Sequence, residues 1–305
     1  MTLAFTANVA LPPDSGGGFD HGDVHLPSGR VFVAHTGNGT VDVIDRPGLR
    51  LERTLKGCAE GSGVLCGSNA TEFVFAAARG DGHLVVFDPN TCEQLGRFAV
   101  GPRPNGLAWD GARRQLLVAD VETFDARLMG PHSGACRVIR ALPGRPRWCV
   151  YDAPRQRFLV NIREPACLVA LAADTLEEAA RVDGLPAGPH GLDLDRAGQR
   201  AFVACDAGFV CVVDLTTDCE IGRVQIAGEP DAVWYSPKAH ALYVAIGNPG
   251  VVEVLDSDAL AVAQQVETEN GAHTTAFDAR RQLLYVFVPV SARAMVFDEV
   301  SSARV

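Results

Sequence analysis

The strongest constraint on this chain is a repeat of about 42 residues. Equivalent positions can be marked at His21, Ser62, Asn105, Arg147, His190, Asp231 and His273, spaced 41, 43, 42, 43, 41 and 42 residues apart. A self-similar unit of this size implies one supersecondary module, repeated so that each copy buries its apolar faces against the next. The 305 residues therefore read as a single unit spanning 1–305 and not as two ordinary domains.

Each unit reads as four short strands. In the clearest copy, Gly191-Leu-Asp-Leu-Asp195 is followed by a turn, then Arg200-Ala-Phe-Val-Ala-Cys205, Phe209-Val-Cys-Val-Val-Asp214 and Ile221-Gly-Arg-Val-Gln-Ile226. Runs of four to eight residues rich in Val, Phe and Ile, bounded by Gly, Asp and Pro, are hairpin material. The second strand recurs seven times, from Val31-Phe-Val-Ala34 through Ala201-Phe-Val-Ala204 to Leu284-Tyr-Val-Phe287. Four strands in about 42 residues match one propeller blade. The fold expected is an all-β, seven-bladed β-propeller of four-stranded antiparallel blades. After Asp298 too little chain remains for a last outer strand, so Leu3–Ala10 is expected to supply it and close blade 7.

Third strands commonly end in Asp, at Asp45, Asp88, Asp214, Asp256 and Asp298, where a carboxylate can accept turn N–H groups. Two blades look irregular. Blade 3 is read as carrying an insertion, Glu122–His132, between its second and third strands, and blade 4 has Ile162-Arg-Glu-Pro165 in place of the usual turn.

The strand pairs Gly101-Pro-Arg-Pro-Asn-Gly-Leu-Ala-Trp-Asp110 with Gln115-Leu-Leu-Val-Ala-Asp120, and Glu229-Pro-Asp-Ala-Val-Trp-Tyr-Ser-Pro237 with Ala241-Leu-Tyr-Val-Ala245, resemble YVTN-type β-propeller repeats. The resemblance covers essentially the whole chain. It implies the propeller fold, and it leaves function among surface proteins, binding scaffolds, lactone hydrolases and lyases.

Composition narrows the partners. A net charge of −10 with no Lys/Arg-rich run repels phosphate backbones and anionic lipid, so neither nucleic acid nor a membrane is an expected partner. No stretch approaches a membrane span, and the first residues lack the basic start and apolar core of a secretory signal. Nine cysteines without a C-x-x-C pair read as free thiols in a reducing cytoplasm.

The marked residues precede the strand that lines a propeller's channel, so they are expected to ring one mouth. Blades 5, 6, 7 and 1 supply His190, Asp231, His273 and His21 as one arc. Three imidazoles and a carboxylate are ligand types for Zn, Fe, Mn or Cu. Opposite them, Asn105 and Arg147, with Ser62 and His35 nearby, would hold a small substrate, Arg147 gripping a carboxylate or carbonyl. His190, His273 and Arg147 are the catalytic candidates, and no organic cofactor is indicated. The reading this favours is metal-assisted hydrolysis of a lactone-like substrate. A metal-free lyase, in which a histidine removes a proton next to a carbonyl while Arg147 stabilises the charge, is the alternative. A non-enzymatic scaffold for a protein partner or ligand is the other, since any channel mouth is wet and attracts polar residues. Among the remaining candidates, His25 could support His21, and Glu164 could act as a base. His83 and His240 read as solvated, and His132 sits in what would be a lid.

Overall fold

The computed structural model describes residues 2–67 and 73–300. They form seven four-stranded antiparallel sheets arranged in a ring, a seven-bladed β-propeller. Blade 1 runs through Phe19–His25, Arg30–His35, Thr40–Asp45 and Arg50–Lys56. Blades 2 to 6 repeat that order, each opening on an inner strand: Gly61–Cys66, Pro104–Asp110, Pro146–Asp152, Pro189–Asp195 and Pro230–Ser236. Blade 7 takes its inner three strands, Thr274–Asp278, Leu283–Val288 and Arg293–Val300, from the end of the chain. Its outer strand is Thr2–Ala10, paired antiparallel to Arg293–Val300 from Thr2 opposite Val300 to Ala10 opposite Arg293. The first and last strands therefore close the ring as the sequence implies.

Burial explains why the second strand is the most legible element. In Ala201–Cys205, Leu242–Ile246 and Leu283–Val288 every residue is buried, because both faces of the sheet are covered by neighbouring blades. Outer strands such as Cys219–Gln225 alternate between exposed and half-buried positions, since only one side has a neighbour. The apolar core is divided accordingly: the described residues form seven clusters, each bridging consecutive blades. Phe202, Val212 and Tyr235, for example, join blade 5 to blade 6.

Several turns behave as the sequence indicates. Asp88, Asp214 and Asp256 each accept two backbone N–H groups from the turn that follows, at 2.6–3.1 Å. Blade 3 differs from expectation. Asp125–Met129 is itself the third strand, so Glu122–His132 is no insertion between strands two and three. The extra residues lie after Met129, where Asp120 has already tied the preceding turn through Glu122 N and Thr123 N. His132 consequently belongs to the loop between strands three and four, packed edge-on to Phe73 at 5.0 Å, and forms no lid over the ring. All nine cysteines are free, and only Cys136 and Cys219 are exposed. No helix among the described residues is long and apolar enough to cross a membrane.

Deleting residues 2–10 removes the buried Leu3 and Val9 and uncovers the edge of Arg293–Val300. At roughly 1.5–3 kcal/mol per buried side chain, a fall in Tm on the order of 10 °C is expected. Thermal denaturation with light scattering checks this, with aggregation expected on melting.

Candidate functional site at the channel mouth

Backbone pairing fixes which residues stand level around the axis. The fourth residue of the second strand is a valine in six blades: Val33, Val118, Val160, Val203, Val244 and Val286. It pairs with Gly22, Leu107, Cys149, Leu192, Val233 and Thr275 respectively. Two residues earlier stand Asn105, Arg147, His190, Asp231 and His273, but in blade 1 that place belongs to Asp20. The ring is therefore Asp20, Ser62, Asn105, Arg147, His190, Asp231 and His273. His21, marked as equivalent from spacing alone, lies one step deeper in a bulge between Asp20 and Gly22, at φ 23°. The signal was available: thirteen residues separate the strand-two valine from the ring residue in the other five of these blades, and thirteen back from Val33 is Asp20.

The bulge sends His21 inward. Its ring lies 4.3 Å, centroid to centroid, from Trp148 of blade 4, which stands at the same depth and contacts Trp234 of blade 6 at 5.9 Å. Side chains from three blades thus meet across the axis and form a floor beneath the ring.

On that floor sits an arc of acid and imidazole. Asp231 Oδ1 is 3.1 Å from His190 Nε2 and accepts a 3.4 Å hydrogen bond from Trp148 Nε1, while Oδ2 is 3.7 Å from His273 Nε2. The other His190 nitrogen, Nδ1, is 2.9 Å from Asp206 Oδ1, and Asp206 also pairs with Arg163 at 2.7 Å. Burial raises the cost of charge on Asp231, but His190, His273, His21 and Arg147 outweigh it and hold the carboxyl well below the ordinary range. Burial also lowers the pKa of His21, against the pull of Asp20 and Asp231 and with the push of His190 and Arg147, so His21 is neutral at pH 7.

The opposite arc is cationic. Arg79, from the turn after the second strand of blade 2, reaches Asn105 Oδ1 at 3.2 Å and Asp20 at 3.5 Å. Arg103 pairs with Glu60 at 3.2 Å. Burial lowers the pKa of Arg145, and Arg163, Arg79 and Arg103 add to the shift. Arg147 is lowered by burial too, with Asp231 opposing and Arg145 and Arg163 reinforcing, and its buried Nε has no hydrogen-bond partner among the described residues. A protein of net charge −10 thus gathers five guanidinium groups at one mouth.

Two sequence candidates are engaged elsewhere. The Ser62 hydroxyl is fully buried and donates to Pro104 O at 2.9 Å, tying blade 2 to blade 3. His35 is also fully buried, stacked on Phe19 at 4.3 Å, with Nδ1 2.8 Å from Asp42 and Nε2 3.3 Å from Asp14. His25 meets Ser28 in the turn after the inner strand of blade 1, His83 lies against Asp81, and His240 lies against Asp258. Sequence reasoning did not assign Arg79, Arg145, Arg163, Asp206 or Asp20 to this site. Arg79, Arg163 and Asp206 share one place in the repeat, directly after the second strand, which was the available signal.

The metal reading finds a poor fit in this donor set. His190 already has a carboxylate at each nitrogen. Among the described residues no three His, Cys, Asp or Glu side chains are grouped as a metal ion requires.

No protein-family model matches the chain, and no curated protein matches it. The likeness to YVTN-type repeats rests on the strand pattern alone.

Lower in the channel, burial pushes Asp23 up to about 7 and Asp193 up to about 6. For Asp23, N–H groups of Cys66 and Val24 oppose the shift and Asp193 adds to it; for Asp193, those of Tyr235 and Leu194 and the charge of Arg196 oppose it. Both carboxyls therefore bind protons more tightly folded than unfolded. Their contribution to stability is present below about pH 4 and is lost as pH rises through 6 to 7. Asp23→Asn should flatten the pH dependence of stability across that window, as read by urea unfolding at a series of pH values.

Proposed function

We propose that the ring mouth binds a small organic acid and transfers a proton at the carbon next to its carbonyl group, the chemistry of a metal-free lyase. The observation that carries this is the opposition of the two arcs: His190 and His273 converge on Asp231, while Arg145 and Arg147 stand across from them without an ion-pair partner among the described residues.

The division of labour follows from charge. A substrate carboxylate or carbonyl seats on Arg147, whose guanidinium supplies paired donors to a planar oxygen group. His273 is the most exposed of the three imidazoles near Asp231, and that carboxylate orients its ring as the base. Removal of the proton moves electrons into the carbonyl oxygen, where Arg147 and Arg145 stabilise the negative charge as it develops. The electrons then return to expel a leaving group from the next carbon. His190, held by Asp206 and Asp231 together, keeps Asp231 in place. The Trp148 floor covers the lower side of Asp231 and bonds it through the indole N–H.

Metal-assisted lactone hydrolysis has less support in the site, because the donors are committed to one another. Treatment with a chelator is accordingly expected to leave ligand binding at the mouth unchanged, as calorimetry with a small keto acid would report.

The decisive experiment is exchange of the proton next to the carbonyl of small keto acids with deuterium, followed by NMR. His273→Ala should slow exchange by about 10²–10⁴-fold. Arg147→Ala should weaken binding of the acid by about tenfold or more, on the order of 1.5–3 kcal/mol for a charged hydrogen bond. Binding without exchange would leave the mouth a ligand-binding module, and absence of both would remove the proposal.

A further inference from the structure

The channel below the His21–Trp148 floor is a separate chamber. A cavity of about 1160 Å³ runs from these two residues to the turns after the inner strands, including Leu26, Ala112, Ala153 and Ala197, on the face opposite the ring. The corresponding turn of blade 2 lies outside the described residues. Arg147, His190, Asp231 and His273 do not line it.

Its walls have an unusual composition for a channel. All three tryptophans of the protein, Trp109, Trp148 and Trp234, line it, with Tyr151, Tyr235 and Phe277. Asp23 and Asp193 interrupt this aromatic lining. Each accepts two backbone N–H groups, one across a blade boundary: Cys66 N to Asp23 and Tyr235 N to Asp193, both at 2.7 Å. Those bonds fix the carboxylates rigidly without supplying a countercharge.

The other charged groups facing the chamber are engaged. Arg113 is paired with Asp110 at 2.8 Å, Arg196 donates to Tyr151 O at 2.9 Å, and Asp195 is paired with Arg200 at 2.8 Å. His21, at the floor, is neutral. The indole Nε1 of Trp109, 8% exposed, has no acceptor among the described residues.

We propose that this chamber binds an organic ammonium compound, its cationic head between Asp23 and Asp193 against the tryptophan faces, and its apolar body along the channel. Aromatic faces attract ammonium groups through their quadrupole, most strongly when water is excluded. The two carboxylates add charge that an apolar ligand could not use. An oxygen on the ligand would satisfy Trp109 Nε1–H. The raised pKa values of Asp23 and Asp193 accord with this: burial outweighs the backbone N–H groups at both, and at Asp193 it outweighs the nearby Arg196 as well. A bound ammonium ion would favour the ionised form of both.

The test uses the full chain and two probes of nearly one shape: choline phenyl ether, which carries a trimethylammonium head, and 3,3-dimethylbutyl phenyl ether, its neutral carbon counterpart. Tryptophan fluorescence reports on the chamber directly, because all three indoles line it, and calorimetry gives affinity. The ammonium probe is expected to bind saturably and at least about tenfold more tightly than the neutral one, about 1.4 kcal/mol, since a desolvated cation is drawn to an aromatic face. Asp23→Asn and Asp193→Asn should each erase most of that preference while the neutral probe still binds, which also shows that the variant folds. His273→Ala at the ring should leave binding unaltered, separating this chamber from the mouth. Equal affinity for the two probes, or no binding of the ammonium probe by the unsubstituted chain, would overturn the proposal.

Discussion

Everything in this molecule depends on closing a ring of sheets whose faces cannot stand exposed. A blade whose second strand is buried almost throughout is stable only when covered on both faces, and the seven inter-blade clusters provide that cover in sequence. Pairing of Thr2–Ala10 with Arg293–Val300 completes the seventh blade from the two ends of the chain and leaves no gap in the circle. Closure also sets the width of the axis. Residues on blades 1 and 4 can touch only because the circumference is fixed, and the His21–Trp148 contact depends on it.

Closure also separates local charge from global charge. The net charge of −10 describes the surface as a whole, whereas Arg79, Arg103, Arg145, Arg147 and Arg163 are concentrated where loops of blades 2, 3 and 4 meet. Backbone geometry places them there: the loops entering the inner strands and those leaving the second strands emerge on one face. Carboxylates at Asp20, Asp206, Asp231 and Glu60 offset part of that charge and leave Arg145 and Arg147 as cations facing the imidazole arc.

The fold was legible in the sequence because both its period and its apolar pattern are strong. The fully buried second strand reads as a continuous apolar run, and its seven copies keep step. The site was legible only in part. His190, Asp231, His273 and Arg147 could be placed from the period, since each opens its blade in the same register. His21 was misplaced because the spacing between successive blades varies by a residue or two, whereas the constant distance of thirteen residues from the strand-two valine picks out Asp20. Asp206, Arg163 and Arg79 were hidden for a different reason. They sit in turns where nearly any polar residue is tolerated, so residue type there gives little sign until partners are known. His35 and Ser62 show the converse, polar side chains absorbed by buried hydrogen bonds with nothing in their spacing to announce it.

The floor of His21 and Trp148 changes what the axis of this propeller is. The molecule is two cups set base to base and not a pipe. A solute admitted at the arginine-rich rim meets the His21–Trp148 contact before the aromatic chamber beyond, so the two faces present different chemistry to the solution. Trp148 belongs to both cups: its indole N–H holds Asp231 above while its ring walls the chamber below. Any tilt of that ring would be felt on both sides at once.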